Sequence, residues 1–172
     1  MSQIQLEPFT SADFDQFIGW ITSEKALIQF AGPTFQYPVT REQLEKHIAS
    51  ESRAIFRVRN ITHNSIVGHA EMIVNKDNES GRLALVLIGD PDMRGKGLGK
   101  ELIRELLSLG FNKMNLHRLE LNVYAFNHSA IACYQQVGFR IEGILRENQR
   151  VGNQFWSTIV MSILKNEWES QL

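Results

Sequence analysis

The sequence predicts a mixed α/β domain in which helices pack on one largely antiparallel sheet. Short runs with strand-like alternation or continuous apolar character occur along the chain, whereas helical periodicity is confined to a few segments. Turn-forming residues separate neighbouring strand candidates closely enough to form hairpins. The predicted order of elements is β α α β β β α β α β β, which is typical of one mixed sheet with flanking helices. The chain has 172 residues, so we expect a single domain over residues 1–172.

The N-terminal part begins with a strand and two helices. Alternation over residues 4–6 predicts a short strand, and an apolar stripe over residues 14–21 predicts a helix after it. Residues 30–38 are expected to be non-helical, because two prolines and a glycine interrupt them. Thr40 and Gln43 have the spacing of a capping box, so a second helix is expected to begin there.

Three extended runs follow. Residues 54–60 and 66–74 are separated by turn-like residues and predict a hairpin. Residues 83–88 are continuously apolar, which predicts a buried central strand.

The C-terminal part alternates between helices and strands. An amphipathic helix is expected from Leu98 onward, followed by a strand over residues 119–123. Asn127 can cap a further helix, and Gly138 can close it. Two strands complete the pattern, over residues 139–145 and 154–164.

The composition excludes several classes of function. Lys and Arg total 18 and Asp and Glu total 19, so the net charge of −1 gives no basic field for nucleic acid. The longest apolar run is far too short to span a membrane, and the N-terminus has no signal-like core, so we expect a cytoplasmic protein. A single cysteine, Cys133, excludes an internal disulfide, and no metal-ligand spacing is present, so no metal is expected.

The segment between the central strand and the long helix carries the most chemical information. Glycines alternate there with cationic residues as the helix begins, in the order Arg94, Gly95, Lys96, Gly97, Leu98, Gly99, Lys100. A helix start has unpaired backbone N–H groups and a partial positive charge, and glycine lets a phosphate approach that backbone closely. Arg94, Lys96 and Lys100 would add cationic partners for the phosphates. The segment therefore predicts a pyrophosphate site, with an ordinary glycine-rich turn as the alternative. A Walker A loop fits worse, because Glu101 stands where that loop needs Ser or Thr.

Two motifs resemble those of the GNAT acyltransferases. Arg94-x-x-Gly97-x-Gly99 resembles the family's pyrophosphate signature, and residues 127–139 resemble its Asn-x-x-Ala-x-x-x-Tyr-x-x-x-Gly-Phe block. The resemblance covers roughly residues 4–164 and implies the GNAT fold. Residues 116–120 and 142–146 make the chain most similar to the RimJ/RimL-type branch of that family.

The resemblance implies a set of roles for individual residues. The cosubstrate would be acetyl-coenzyme A, with its pyrophosphate on the backbone after Arg94. Ile88 and Gly89 would pair with the pantetheine arm and the acetyl carbonyl, and the Asn127 amide would contact the pantetheine. Tyr134 would protonate the departing thiolate, since a phenol is a plausible acid for that leaving group.

The base is where this sequence departs from the family. Many relatives carry a glutamate on the central strand, but this chain has apolar residues there, such as Ala84. Glu120 is the first candidate to accept the amine proton, directly or through water, and Glu71 is the second; an ordinary ion-paired glutamate is the alternative for both. We expect direct attack by a neutral amine, because Cys133 has no histidine beside it to activate it as a nucleophile.

The sequence thus predicts an acetyl-coenzyme-A-dependent N-acetyltransferase. A non-catalytic coenzyme A sensor on the same fold is the alternative, although Tyr134 favours the enzyme. The acceptor could be a protein N-terminus, a polyamine, an amino acid or an aminoglycoside, and the scattering of acidic residues weighs slightly against polyamines. The sequence leaves open whether the chain forms a homodimer.

Overall fold

The computed structural model describes residues Ser2–Gln171, which separate into two compact units. The first unit contains the chain up to Ile73 together with Ala84–Leu102. The second contains Val74–Leu83 and the chain from Ile103 onward. The single domain over residues 1–172 stays a prediction.

Seven strands form one sheet in the order β1-β2-β3-β4-β5-β7-β6. They are β1 (Ile4–Pro8), β2 (Arg53–Asn60), β3 (Ser65–Asn75), β4 (Ser80–Ile88), β5 (Arg118–Tyr124), β6 (Arg140–Val151) and β7 (Gln154–Leu164). The β1–β2, β2–β3, β5–β7 and β6–β7 pairs are antiparallel, and the β4–β5 pair is parallel. The predicted fold class, a mixed and mostly antiparallel sheet with helices, is confirmed.

Three short helices belong to the first unit: α1 (Phe14–Gly19), α2 (Glu24–Ala31) and α3 (Arg41–Ile48). The side chain of Thr40 accepts a hydrogen bond from the Gln43 amide, so the predicted cap of α3 is confirmed. The prediction that residues 30–38 are non-helical is wrong at its start. Ser23 caps α2, and the helix continues through Ala31 until Gly32 adopts a positive φ of 57°. A 3₁₀ turn over Gly32–Thr34 follows, in which the proline stands in the first turn, where no N–H is needed.

The core of the first unit is rich in aromatic rings. Its buried members are Phe9, Phe14, Phe17, Leu27, Ala31, Phe35, Val39, Leu44 and Leu85. Burying a phenylalanine or leucine side chain contributes roughly 1.5–3 kcal/mol, so the cluster contributes substantially to the stability of the first unit. Leu85 belongs to it despite a positive φ of 46°, which marks an irregularity in β4.

The second unit contains most of α4 (Leu98–Ser108) and all of α5 (His128–Gln136) and α6 (Lys165–Glu169). The predicted closure of α5 is confirmed, because Gly138 follows it with a φ of 102°. The short helix α6 was not predicted; its Trp168 ring stacks on Phe111 at 6.4 Å. Strand β6 continues to Val151, past the predicted end at Leu145. The sequence pattern stops at Leu145 because a bulge around Glu147 (φ 51°) interrupts the alternation of side chains there.

The parallel ladder between β4 and β5 is short. It joins Ser80–Leu83 to Arg118–Leu121 and ends there, although β4 continues to Ile88 and β5 to Tyr124. The irregular Leu85 follows two residues later. The last part of β4 therefore lies outside this ladder.

Candidate active site

The predicted pyrophosphate segment is a loop that leads from β4 into α4. A 3₁₀ turn over Pro91–Met93 follows the strand, with Asp90 Oδ1 accepting from the Asp92 amide at 2.9 Å. The carbonyl of Gly97 accepts from the amides of Lys100 (3.0 Å) and Glu101 (3.2 Å), which begins α4. The backbone amides that precede Lys100 have no acceptor within the helix, as is general for the first residues of a helix. The loop thus presents backbone donors at the positive end of an 11-residue helix.

The three glycines of this loop are needed for different reasons. Gly95 and Gly97 have φ values of 73° and 85°, which side chains rarely tolerate. Gly99 has no such φ, and a Cβ placed on it would meet no atom of the described residues within 4 Å. Neither backbone conformation nor packing explains a glycine there, although glycine in a helix costs about 1 kcal/mol relative to alanine. A group that must approach the backbone closely, such as a phosphate, does explain it.

The other residues of the loop present different groups. The Leu98 side chain is buried, so only its backbone is available to a ligand. Lys96 lies exposed, as expected for a cation that meets an anionic group. Arg94 differs from expectation: its guanidinium donates to the carbonyls of Ile88 (2.9 Å) and Gly89 (3.0 Å) at the end of β4.

Ile88 is the last residue of β4 and Gly89 follows it directly, both in the first unit. The Gly89 amide donates to the carbonyl of Val67 at 2.9 Å. Both backbone groups of Gly89 therefore have partners within the protein, and a bound acyl group would share them rather than find them unpaired.

Tyr134 and Asn127 lie at opposite ends of α5 in the second unit. Asn127 Oδ1 caps the helix, accepting from the Ala130 amide at 3.3 Å, so its amide nitrogen is the group suited to contact a pantetheine. The Tyr134 ring is half-buried and packs edge-on against Phe139 at 5.9 Å. Burial raises the pKa of the Tyr134 phenol to about 12, so the phenol stays protonated at neutral pH.

Glu120 lies in a row of charges across the second unit's strands. Its carboxylate accepts from Arg82 (2.6 and 2.8 Å) and Arg118 (3.2 Å). Arg118 also donates to Glu142 at 2.7 and 2.9 Å. Burial alone would raise the pKa of the Glu120 carboxyl, but the two arginines outweigh it and the pKa is lowered. A carboxylate held in this way is a weaker proton acceptor than an unpaired one.

Glu71 lies fully buried in the first unit, in contact with two histidines and one arginine. It accepts from His47 (2.7 Å), His69 (3.0 Å) and Arg53 (2.8 Å). Burial would raise the pKa of this carboxyl, but the two histidine bonds outweigh it and lower the pKa to about 2. Burial lowers the pKa of His69, so its ring is neutral and donates its Nε2–H to Glu71.

The structure thus groups the predicted residues into separate sets. The loop residues and the end of β4 form one set, Tyr134 and Asn127 share α5, and each candidate base lies in its own ion-paired cluster. Sequence reasoning missed the Glu71 cluster. The alternation of β3 could have paired His69 with Glu71, because residues two apart share a strand face, but nothing in the sequence connects His47 on α3 to them.

The described residues lack two kinds of feature. Within Ser2–Gln171, no group of three or more His, Cys, Asp or Glu side chains has an arrangement that could hold a metal ion. No helix over the same residues is long and apolar enough to cross a lipid bilayer.

Comparison with known proteins gives a family and a set of relatives. A family model described as "Acetyltransferase (GNAT) family" matches residues 15–139. A spermidine N(1)-acetyltransferase of Vibrio cholerae is 26% identical over 170 residues, which cover 97% of this chain and 96% of that protein. A spermidine N(1)-acetyltransferase of Escherichia coli is 23% identical over 168 residues, covering 96% of this chain and 88% of that protein.

A solved structure is similar over the full length. The crystal structure of spermidine N-acetyltransferase from Vibrio cholerae in complex with CoA and spermine has a TM-score of 0.84 and 25% identity, and covers 98% of this chain and 99% of that one. None of these names is that of a RimJ/RimL-type enzyme, so the comparisons support the predicted family but not the predicted branch.

Proposed function

The chain belongs to the acetyltransferase (GNAT) family, and from this premise we propose that its acceptor is a primary amine of a polyamine such as spermidine. It is an acetyl-coenzyme-A-dependent N-acetyltransferase. The observation that carries the acceptor proposal is the full-length similarity to spermidine N(1)-acetyltransferase, at 26% identity over 170 residues. This proposal departs from the expectation drawn from the sequence, where the scattered acidic residues weighed slightly against a polyamine acceptor.

The loop between β4 and α4 fits the pyrophosphate of coenzyme A. It combines a helix start, two left-handed glycines and an unexplained third glycine facing open space. The backbone of residues 95–99 would hold the phosphates, and Lys96 and Lys100 would add positive charge. When bound, acetyl-coenzyme A supplies the thioester from which the acetyl group is transferred. In the first unit, Ile88 and Gly89 would hold the pantetheine end.

Tyr134 would assist departure of the thiolate. A phenol with a pKa of about 12 keeps its proton at neutral pH, so it is always ready to donate to the sulfur. Its weak acidity makes hydrogen-bond donation its main contribution until negative charge develops on the sulfur. The neutral amine would form the new amide bond while the carbon–sulfur bond breaks. The amine proton would pass to a base and the departing thiolate would take a proton from Tyr134, with no acyl-enzyme.

Of the two candidate bases, Glu71 has the more suitable partners. The partners of Glu120 among the described residues are guanidinium groups, which do not exchange protons at neutral pH. Glu71 instead contacts the imidazoles of His47 at 2.7 Å and His69 at 3.0 Å, and an imidazole can carry a proton on either ring nitrogen. Because the pKa of Glu71 is lowered to about 2, it would work through these histidines rather than keep the proton itself.

A second acceptor class has its own support. Glu71 is ion-paired with Arg53 and Glu120 with Arg82, so neither strand carboxylate offers an uncompensated charge to a polycation. A protein N-terminus, which carries one charge, needs fewer such partners.

An acceptor panel tests the proposal. Purified protein is incubated with acetyl-coenzyme A and spermidine, an N-terminal peptide or an aminoglycoside, and thiol release is measured. We expect the highest kcat/KM with spermidine; preference for the peptide would favour the second acceptor class. Coenzyme A binding without turnover on any amine would contradict the enzymatic role and support a sensor.

Self-association is proposed on similar grounds. A spermidine N-acetyltransferase from Vibrio cholerae, 23% identical to this chain, has a structure described as dodecameric. Light scattering on the purified protein would detect a homo-oligomer, of which a dimer is the smallest case.

A further inference from the structure

The end of β4 is held in place from three directions within the first unit. From β3, the Val67 carbonyl accepts from the amides of Gly89 (2.9 Å) and Asp90 (3.2 Å). From the phosphate loop, Arg94 donates to the carbonyls of Ile88 and Gly89. From the end of α1, the Trp20 indole lies against the α-carbon of Gly89.

The contact with Trp20 leaves no room for a side chain at position 89. A Cβ on Gly89 would lie 2.0 Å from Cδ2 of the indole and 2.4 Å from Cε2 and Cε3. Non-bonded contacts of a Cβ are essentially never shorter than 3.0 Å, so the glycine is required by the ring rather than by a left-handed backbone. The Trp20 backbone is itself fixed, because its amide donates to the carbonyls of Gln16 and Phe17 at 3.2 Å. The ring therefore ties α1 to the end of β4.

The contact with Arg94 uses the fork of the guanidinium. Nε donates to the Ile88 carbonyl at 2.9 Å and Nη2 to the Gly89 carbonyl at 3.0 Å. Two bonds from one planar group fix the direction of two successive carbonyls, which a lysine could not do. They also turn the charged side chain of Arg94 towards β4.

We propose that Trp20 and Arg94 are positioning residues for acyl transfer, which hold the Ile88–Gly89 backbone where the thioester is bound, and that the Arg94 guanidinium is not a ligand of the pyrophosphate. This rests on the proposed cofactor site. Misplacing reacting groups by about 1 Å costs up to roughly a hundredfold in rate. Loss of either side chain should therefore lower turnover more than it lowers affinity for the nucleotide end of the cofactor.

The test for Arg94 separates its two roles by ligand. The probe is 3′-phospho-ADP, which carries the nucleotide and pyrophosphate of coenzyme A but no pantetheine. We expect Arg94→Gln to lower kcat/KM with acetyl-coenzyme A about tenfold or more and to leave the Kd of the probe within about twofold. Arg94→Lys should not restore activity, because the fork and not the charge is needed. The matched variant Lys96→Ala should raise the Kd of the probe, because it removes a positive charge from the phosphate loop.

Parallel losses of kcat/KM and probe affinity in Arg94→Gln, with rescue by Arg94→Lys, would overturn the proposal for Arg94. A wild-type protein that binds neither the probe nor coenzyme A would instead contradict the proposed cofactor site. The two failures are therefore distinguishable.

The test for Trp20 is a double-mutant cycle with Gly89. Trp20→Ala should lower kcat about tenfold or more with little change in probe Kd, and Trp20→Phe should restore part of it. Gly89→Ala should be severe in the wild type and mild in the Trp20→Ala background, because the ring that a Cβ would meet is gone. If Trp20→Ala leaves kcat unchanged, or if the two substitutions have independent effects on kcat, the positioning role of Trp20 is wrong.

Discussion

Replacing Gly99 with alanine should move stability and cofactor affinity in opposite directions. Gly99 is the second residue of α4, has no left-handed φ, and a Cβ there would meet no described atom within 4 Å. Alanine should therefore raise the free energy of unfolding of the unliganded protein by about 0.5–1 kcal/mol. For a chain of this length that corresponds to a Tm increase of roughly 1–4 °C.

The same methyl group would stand where a phosphate is proposed to approach the backbone. We expect the Kd for coenzyme A to rise at least about tenfold, or roughly 1.4 kcal/mol. Calorimetric unfolding without ligand measures the first effect, and titration calorimetry with coenzyme A measures the second. Gly143→Ala is the matched control, because a Cβ there also meets no described atom, and it should leave the Kd unchanged.

An unchanged Kd in Gly99→Ala would refute the proposed phosphate position. Gly97→Ala gives a useful contrast, because its φ of 85° adds a backbone strain of about 1–2 kcal/mol. That variant should lose stability and affinity together, so it cannot separate the two roles as Gly99→Ala does.

Three further predictions concern the acid, the buried glutamate and the absence of an acyl-enzyme. Tyr134→Phe should lower kcat by about 10²-fold or more while the Kd for coenzyme A stays nearly constant; unchanged kcat with a rate-limiting chemical step would remove the acid role. The pKa of Glu71 is lowered to about 2 in the folded protein, so its stabilisation, on the order of 3 kcal/mol, is present above the unfolded pKa of about 4.3 and is lost as pH falls towards 2. In urea unfolding, Glu71→Gln should therefore be less stable than wild type at pH 7, and the difference should shrink below about pH 4; a constant difference would contradict the buried ion pair. Cys133→Ala should retain activity, and a trapped acetyl-enzyme in mass spectrometry would contradict direct transfer.

Local signals predicted much of the fold and the phosphate loop. Thr40 and Asn127 cap their helices as expected, because a side-chain cap depends on residues only three positions apart. The glycine-rich start of α4 was predictable for the same reason: its chemistry is contained in one short segment.

The unpredicted features depend on contacts between distant segments. The bond from His47 to Glu71 joins α3 to β3, and the Trp20 ring meets Gly89 across most of the first unit's sequence. Arg94 shows the limit within a motif, since its charge suggested a phosphate ligand but its guanidinium donates to β4 carbonyls. The end of helix α2 was predicted wrongly because the glycine and proline that follow it suggest an interruption of the chain from residue 30, whereas they act only after Ala31.

The most direct test of the central claim is a competition assay for the acceptor. Wild-type protein receives acetyl-coenzyme A with spermidine and an N-terminal peptide together, and both amines are analysed by mass spectrometry, with Tyr134→Phe as the control. We predict that spermidine is acetylated first and that acetylation falls by about 10²-fold in the control. Acetylation of the peptide with spermidine untouched would contradict the proposed acceptor.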